Sequence, residues 1–199
     1  MAAGLRPGLR APHSWEMHRG TSSILTLANG LSASRLVLGP LCAFAHVRQW
    51  WVLAAVTFAA AAASDFADGR VARGRGQASA FGGLLDHASD AVFVVVVLCA
   101  LAFEDWVPLA LPLLVAAAFV QYTWDSRVLA GAPLRASVLG RANGIAYFVL
   151  TGAAATGPLF GLHDLVARWL WLPACLLIAS TVLSMLDRLH ALLRSRRAE

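Results

Sequence analysis

Long apolar stretches separated by short polar breaks run along most of this chain and predict a bundle of membrane-spanning helices. A transmembrane helix needs about 20 mainly apolar residues, and the apolar stretches have roughly that length. We place six spans near residues 31–47, 49–69, 79–103, 106–126, 138–158 and 168–187. The pattern therefore predicts an all-α integral membrane protein with about six transmembrane helices.

The residues before the first span differ in pattern. Segment 14–30 mixes Trp15, Met17 and Ile24 with polar residues. It is too short and too polar to cross a bilayer, which favours an amphipathic helix lying in the membrane interface. Residues 1–13 are rich in Gly, Pro and Arg without a periodic apolar face, which predicts a disordered tail. Residues 14–199 then form a single membrane domain.

The composition agrees with a membrane protein. Apolar residues make up 59% of the chain and charged residues only 14%, and the mean hydropathy is +0.67, which exceeds what soluble domains usually show. The net charge of +5 does not require a nucleic-acid partner, because cytoplasmic loops of membrane proteins carry the same excess. We therefore expect membrane lipids, and no nucleic acid, as partners.

The distribution of arginine predicts the orientation. All 16 basic residues are Arg, and 13 of them fall on one side of the six-span topology, which the positive-inside rule assigns to the cytoplasm. Both termini are then cytoplasmic. Abundant Ala and Arg with no Lys is typical of a GC-rich bacterium and favours the cytoplasmic membrane. The 13 residues are Arg6, Arg10, Arg19, Arg70, Arg73, Arg75, Arg127, Arg135, Arg141, Arg188, Arg194, Arg196 and Arg197.

Four carboxylates stand out against this apolar background. An ionised Asp at bilayer depth costs roughly 3 kcal/mol unless a partner or water compensates it. Asp65 and Asp68 are three residues apart, and Asp86 and Asp90 are four apart, so each pair lies on one helix face. Two facing helices could present the four carboxylates together, and such a cluster of oxygen ligands suits Mg²⁺ or Mn²⁺. His87 points to another face than Asp86, and we interpret it as structural.

The residues around the carboxylates favour a phosphate ligand. Gly69 and Gly82 leave room for a ligand to approach the backbone. Arg73, about one turn beyond Asp68, has a planar guanidinium that matches phosphate oxygens. Carboxylate-bound metal ions together with arginine indicate a pyrophosphate.

Two other interpretations are compatible with the same residues. The Asp pairs could form salt bridges with Arg70, Arg73 and Arg75 at the membrane surface, or they could line a transport pathway for divalent cations. The arginine fork and the glycines favour a nucleotide pyrophosphate over cation transport, because a cation pathway has no use for them.

The spacing Asp65-x2-Asp68-Gly69-x2-Ala72-Arg73-x8-Gly82-x3-Asp86-x3-Asp90 resembles the signature of the CDP-alcohol phosphatidyltransferase family at every fixed position. The resemblance implies six transmembrane helices after an interfacial helix. It also implies an enzyme of phospholipid biosynthesis that transfers a phosphatidyl group from a CDP-linked lipid, usually CDP-diacylglycerol, to an alcohol and releases CMP. Family members commonly form homodimers.

The resemblance also implies roles for the motif residues. Asp65, Asp68 and Asp86 would bind two metal ions, Mg²⁺ or Mn²⁺. Asp90 would complete the second metal site and is the candidate base for the acceptor hydroxyl. The residues around the cytidine diphosphate would be Gly69, Ala72, Arg73 and Gly82.

Three polar residues upstream recur at three-residue steps and share one helical face, namely Asn29, Ser32 and Arg35. We expect this face to approach the nucleotide or to close the site. A helix cap at Asn29 and an Arg35 that extends towards the headgroups are the alternatives.

The acceptor is predicted from arginines around the fourth connection, Arg127, Arg135 and Arg141. Such a cluster favours an anionic acceptor such as glycerol 3-phosphate or inositol phosphate over serine, choline or ethanolamine, although cytoplasmic charge alone would also explain it. The stretch Asn29 to Arg35 resembles phosphatidylglycerophosphate synthases within the family. His87 and Ala91 depart from the Pro and Lys typical there.

Overall fold

The protein is a bundle of α-helices in the computed structural model, which describes residues 26–74, 80–125 and 138–197. A short 3₁₀ turn, Gly157–Phe160, follows the fifth helix. The seven α-helices of the described residues are α1 Leu27–Val47, α2 Trp51–Gly74, α3 Ala80–Phe103, α4 Ala110–Asp125, α5 Val138–Thr156, α6 His163–Trp169 and α7 Trp171–Arg197.

The predicted all-α membrane class is confirmed. Four segments of the described chain are long and apolar enough to cross a membrane, namely Leu27–Val47, Trp51–Val71, Phe81–Phe103 and His163–Ala191. The other two predicted spans coincide with α4 and α5, which have 16 and 19 residues. The short helix α6 was not predicted.

The start of α1 corrects one expectation. Residues 27–30, which we assigned to the interfacial segment, form the first turn of α1. Thr26 caps this turn, because its Oγ1 accepts a hydrogen bond from the backbone N–H of Asn29 at 3.1 Å. The remainder of the interfacial segment up to residue 25, and the predicted tail 1–13, lie outside the described residues.

Helix α1 packs closely against α3 because of a glycine. A Cβ added at Gly39 would lie 3.1 Å from the Cα of Phe93, which is tighter than ordinary van der Waals contact. Phe93 is itself fully buried, together with Val97, Leu98 and Leu101 on the same helix. This close approach, one turn from Arg35, brings the polar face of α1 against the motif helices.

The end of the bundle opposite the motif is joined by polar contacts between helix ends. His46 Nδ1 lies 2.8 Å from Glu104 Oε2, and the indole N–H of Trp171 donates to the carbonyl oxygen of Asp105 at 2.7 Å. Burial raises the pKa of the Glu104 carboxyl above its ordinary value, and the nearby His163 partly offsets this increase. These contacts connect α1, the turn after α3, and α7.

Candidate functional site

The four motif carboxylates converge on one arginine. The guanidinium of Arg35, on α1, donates through Nη1 to Asp65 at 2.7 Å and also to Asp90. Through Nη2 it donates to Asp68 at 2.7 Å and to Asp86. One side chain from the first helix therefore collects both carboxylates of α2 and both of α3.

Burial makes this arrangement electrostatically demanding. The side chain of Arg35 is fully buried and that of Asp68 is 5% exposed, whereas Asp65, Asp86 and Asp90 are 34–49% exposed. A buried carboxylate needs both a counter-charge and hydrogen bonds. Asp68 receives both, because Ser32 Oγ donates to its Oδ2 at 2.8 Å in addition to Arg35.

Three of the carboxylates also form a cluster of metal-ligating character. Asp65, Asp68 and Asp86 each offer an oxygen, and these oxygens lie within 4.8 Å of one another. Oxygen-only ligands suit hard divalent cations such as Mg²⁺ and Mn²⁺, so the residues fit the predicted metal. Asp90 is not a member of this trio and joins the others through Arg35.

Two residues of the upstream polar face, Ser32 and Arg35, contact the motif carboxylates, and both alternatives for this face are wrong. Asn29 does not cap α1, since Thr26 occupies that position. Arg35 does not extend towards the headgroups, because its charge is held inside the bundle by the carboxylates.

The interpretation of the carboxylates as surface salt bridges is wrong for Arg70. Its guanidinium carbon lies 3.8 Å from the centre of the Phe66 ring, a cation–π contact, and the described ion pairs of the Asp residues are with Arg35. Arg70 lies beyond the turn that carries Asp65 and Asp68 and faces a ring instead.

The remaining motif positions lie at the adjoining helix ends. Gly69 directly follows Asp68 on α2, and Gly82 lies in the first turn of α3. Ala72 and Arg73 belong to the last turns of α2, and their side chains lie outside the described part of the structure.

A cavity of about 510 Å³ lies between α3, α4, α5 and α7, and Asp65 and Asp90 are among the residues that line it. These two carboxylates are the ones bound to Nη1 of Arg35. Ser32, Asp68 and Asp86 are not among its lining residues. The carboxylate cluster thus has one side towards α1 and another towards the cavity.

Arg141 is the predicted acceptor residue that the structure places at this cavity. Arg127 and Arg135 lie outside the described residues. His87 also lines the cavity and packs edge-on against Tyr122, with ring centres 4.6 Å apart. Its packing agrees with the structural interpretation.

Sequence reasoning missed a second arginine at the cavity. Arg188, on α7, lines it and lies 4.6 Å from the centre of the Tyr122 ring. From the sequence alone, Arg188 is explained as positive-inside charge. No spacing rule connects α7 with the motif, since the two are about a hundred residues apart.

Fold and site together define a membrane-embedded carboxylate centre of a known class. Residues 25–186 match the family model "CDP-alcohol phosphatidyltransferase". The chain therefore belongs to the CDP-alcohol phosphatidyltransferase family, as the motif resemblance indicated.

The chain is similar to two kinds of curated protein. It is 30% identical over 187 residues to CDP-diacylglycerol–glycerol-3-phosphate 3-phosphatidyltransferase 1, chloroplastic, of Oryza sativa subsp. japonica, covering 82% of this chain and 57% of the relative. It is 28% identical to the cardiolipin synthase (CMP-forming) of Rattus norvegicus, covering 82% and 62%. A cardiolipin synthase (CMP-forming) of Streptomyces coelicolor is 33% identical over 105 residues, covering 49% and 48%. The chain thus spans 57–62% of the length of the first two relatives.

Proposed function

We propose that this protein transfers a phosphatidyl group from CDP-diacylglycerol to the hydroxyl of a phosphate-bearing alcohol and releases CMP, as a step of phospholipid biosynthesis. The observation that carries the proposal is the convergence of the four motif carboxylates on Arg35, together with the cavity that two of them, Asp65 and Asp90, line. Membership of the family supports it. The predicted acceptor is glycerol 3-phosphate, and the printed name of the Oryza relative includes that compound.

The donor would bind on the α1 side of the cluster. Asp65, Asp68 and Asp86 would hold Mg²⁺ or Mn²⁺, with Asp90 completing a second ion site. Ions held by these residues would supply positive charge to neutralise the pyrophosphate as CMP leaves. The residues around the nucleotide would be Asn29, Ser32, Gly69, Ala72, Arg73 and Gly82.

Arg35 would set the geometry of the carboxylates. Each of its two terminal nitrogens binds one carboxylate of α2 and one carboxylate of α3. The two helices are therefore kept in register before a ligand arrives. Such preorganisation reduces the cost of binding a charged ligand. Arg35 also disfavours cation transport, because a fixed positive charge lies between the carboxylates of the supposed pathway.

The acceptor would approach from the cavity. Its hydroxyl oxygen attacks the phosphorus that carries the diacylglycerol, a new P–O bond forms, and the P–O bond to CMP breaks. Asp90, at the cavity, would accept the hydroxyl proton. Arg141, with Arg127 and Arg135, would bind the acceptor phosphate.

The setting of the reaction follows from the orientation. We infer that the carboxylate end faces the cytoplasm, since Arg70, Arg141 and Arg188 lie at that end. Both termini would then be cytoplasmic, and the cytoplasmic membrane of the cell is the proposed location. A homodimer through membrane helices is also proposed, by analogy with the family.

The variant Asp90→Asn tests this assignment. It preserves the shape of the side chain but cannot accept the proton, so we expect transfer to fall at least a hundredfold while CDP-diacylglycerol binding stays within a few-fold. CMP release and lipid binding by the purified variant measure the two effects. Turnover at the wild-type rate would remove Asp90 from this role.

A further inference from the structure

The turn between α1 and α2 fixes two exposed aromatic rings side by side. Gln49 has a positive φ of 56°, and its N–H donates to the carbonyl oxygen of His46 at 2.8 Å. The N–H of Trp50 donates to the carbonyl oxygen of Ala45, also at 2.8 Å. This is the Schellman arrangement at a helix C-terminus, which brings the residue after the turn against the last turn of the helix. The Trp50 ring accordingly meets the Phe44 ring edge-on, with ring centres 5.6 Å apart.

Arg48 lies over this aromatic pair. Its guanidinium carbon is 5.9 Å from the centre of the Phe44 ring and 5.7 Å from the centre of the Trp50 ring, which are cation–π distances. In the described part of the chain, the ion pairs at this end join Glu104 and Asp164 to histidines, and none includes Arg48. The rings hold the guanidinium at the surface without neutralising its charge, so an anion can still bind to it.

An open apolar groove lies next to this arginine. It has a volume of about 690 Å³, and its lining includes Gln49 and Trp50 of the turn, Val52 and Val56 of α2, and Leu159 of the 3₁₀ turn. Val52 and Val56 are one helical turn apart and are 67% and 57% exposed. The groove therefore presents an apolar surface to whatever surrounds the bundle.

The position of the groove decides which kind of ligand fits it. The groove lies at the start of the segment Trp51–Val71, which is long and apolar enough to cross a membrane, at the end of the bundle opposite the motif. Exposed aromatic rings at the end of such a segment mark the level of the lipid headgroups. The guanidinium of Arg48 is then at headgroup level, and the apolar lining is at the level of the acyl chains. A phospholipid with a negatively charged headgroup matches both, whereas a soluble anion leaves the apolar lining without a partner.

We propose that Arg48 and this groove form a binding site for an anionic phospholipid of the membrane leaflet opposite the carboxylate cluster. The headgroup phosphate accepts hydrogen bonds from the Arg48 guanidinium, and one acyl chain lies along Val52 and Val56 towards Leu159. A lipid bound there connects the α1–α2 turn with the 3₁₀ turn. The site is separate from the carboxylates and does not depend on the proposed reaction.

Photo-crosslinking of the purified full chain tests the proposal. The protein is reconstituted in phosphatidylcholine vesicles with a small fraction of either phosphatidylserine or phosphatidylcholine that carries a diazirine in one acyl chain, and labelled peptides are identified by mass spectrometry. We expect about fivefold more label from phosphatidylserine on the peptides that contain Val56 or Leu159, which is the preference that one arginine near the headgroups provides. Equal labelling by the two lipids would overturn the proposal. Absence of label on both peptides would show that the groove is covered by protein, and would overturn it as well.

Two pairs of variants test the contacts of the headgroup and of the acyl chain. Arg48→Gln should reduce labelling by phosphatidylserine to the level of phosphatidylcholine, whereas Arg168→Gln, which removes an exposed arginine outside the groove lining, should keep the preference. Val56→Phe fills part of the groove and should reduce the label on the Leu159 peptide severalfold. Val37→Phe makes the same change at an exposed position of α1 outside the groove and should leave that label unchanged. A preference that persists in Arg48→Gln, or wild-type labelling in Val56→Phe, would refute the site.

Discussion

Replacement of Arg35 by Gln should destabilise the protein in the absence of divalent metal. The change removes the charge that compensates four carboxylates and leaves them facing one another. Breaking one buried ion pair costs about 3–5 kcal/mol, whereas an exposed pair contributes about 0–1 kcal/mol. Only Asp68 is buried, at 5% exposure.

The exposure values decide the expected magnitude. Water screens Asp65, Asp86 and Asp90, which are 34–49% exposed. Their ion pairs with Arg35 therefore contribute less free energy each than the buried pair with Asp68. We therefore take the lower end, about 3 kcal/mol. For a chain of this size that corresponds to a decrease in Tm of roughly 6–12 °C.

The effect of metal binding on Tm distinguishes the variant from the wild type. Divalent ions supply the missing positive charge in Arg35→Gln, whereas in the wild type the guanidinium already compensates part of the carboxylate charge. Thermal unfolding in detergent, with EDTA or with Mn²⁺, should therefore show a larger Mn²⁺-induced rise in Tm for the variant.

A matched control separates this effect from loss of any arginine. Arg70→Gln removes the same charge from a side chain that packs over Phe66, and its Tm should stay within about 2 °C of the wild type. If Arg35→Gln had the wild-type Tm in EDTA, or if Mn²⁺ raised both proteins equally, the electrostatic account of the site would be refuted.

Two further changes test the close contact between α1 and α3 and the buried carboxyl at the opposite end of the bundle. Gly39→Val should destabilise the protein by about 1–3 kcal/mol in denaturant or thermal unfolding, because its side chain would meet the backbone of Phe93. Gly30→Val is the control on the same helix and should not destabilise the protein, because a Cβ there has open space. Equal destabilisation by the two changes would contradict the close α1–α3 contact. Glu104→Gln should reduce the pH dependence of Tm: burial raises the Glu104 pKa above its ordinary value of 4.5, so the folded state holds this proton more tightly and stability falls as pH rises above that value. A Tm that falls equally between pH 5 and pH 7 in variant and wild type would contradict that effect.

The carboxylate pairs could be predicted from the sequence because spacing along a single helix determines whether two side chains share a face. Asp65 with Asp68, and Asp86 with Asp90, were predicted to share faces and to meet across two helices, and both expectations agree with their common contact to Arg35. The class of fold followed in the same way from the lengths of the apolar stretches.

Contacts between helices that are distant in the sequence were harder to predict. Arg35 was placed on the correct face, but how far α1 is rotated and how closely it approaches α3 depend on packing at Gly39 and Phe93. The cavity combines residues of α3, α4, α5 and α7, and no single-helix pattern specifies which of their faces converge. The cap at Thr26 was missed because Asn29, also a good capping residue, lies three positions later.

Metal-dependent CMP release is the measurement that tests the central claim most directly. Purified protein with CDP-diacylglycerol and an acceptor should release CMP with Mg²⁺ or Mn²⁺ and stop when EDTA is added. Asp68→Asn should lose this activity, because it removes a charged ligand from the trio of carboxylates. CMP release that continued at the same rate in EDTA, or in Asp68→Asn, would contradict a carboxylate-held metal centre as the site of phosphatidyl transfer.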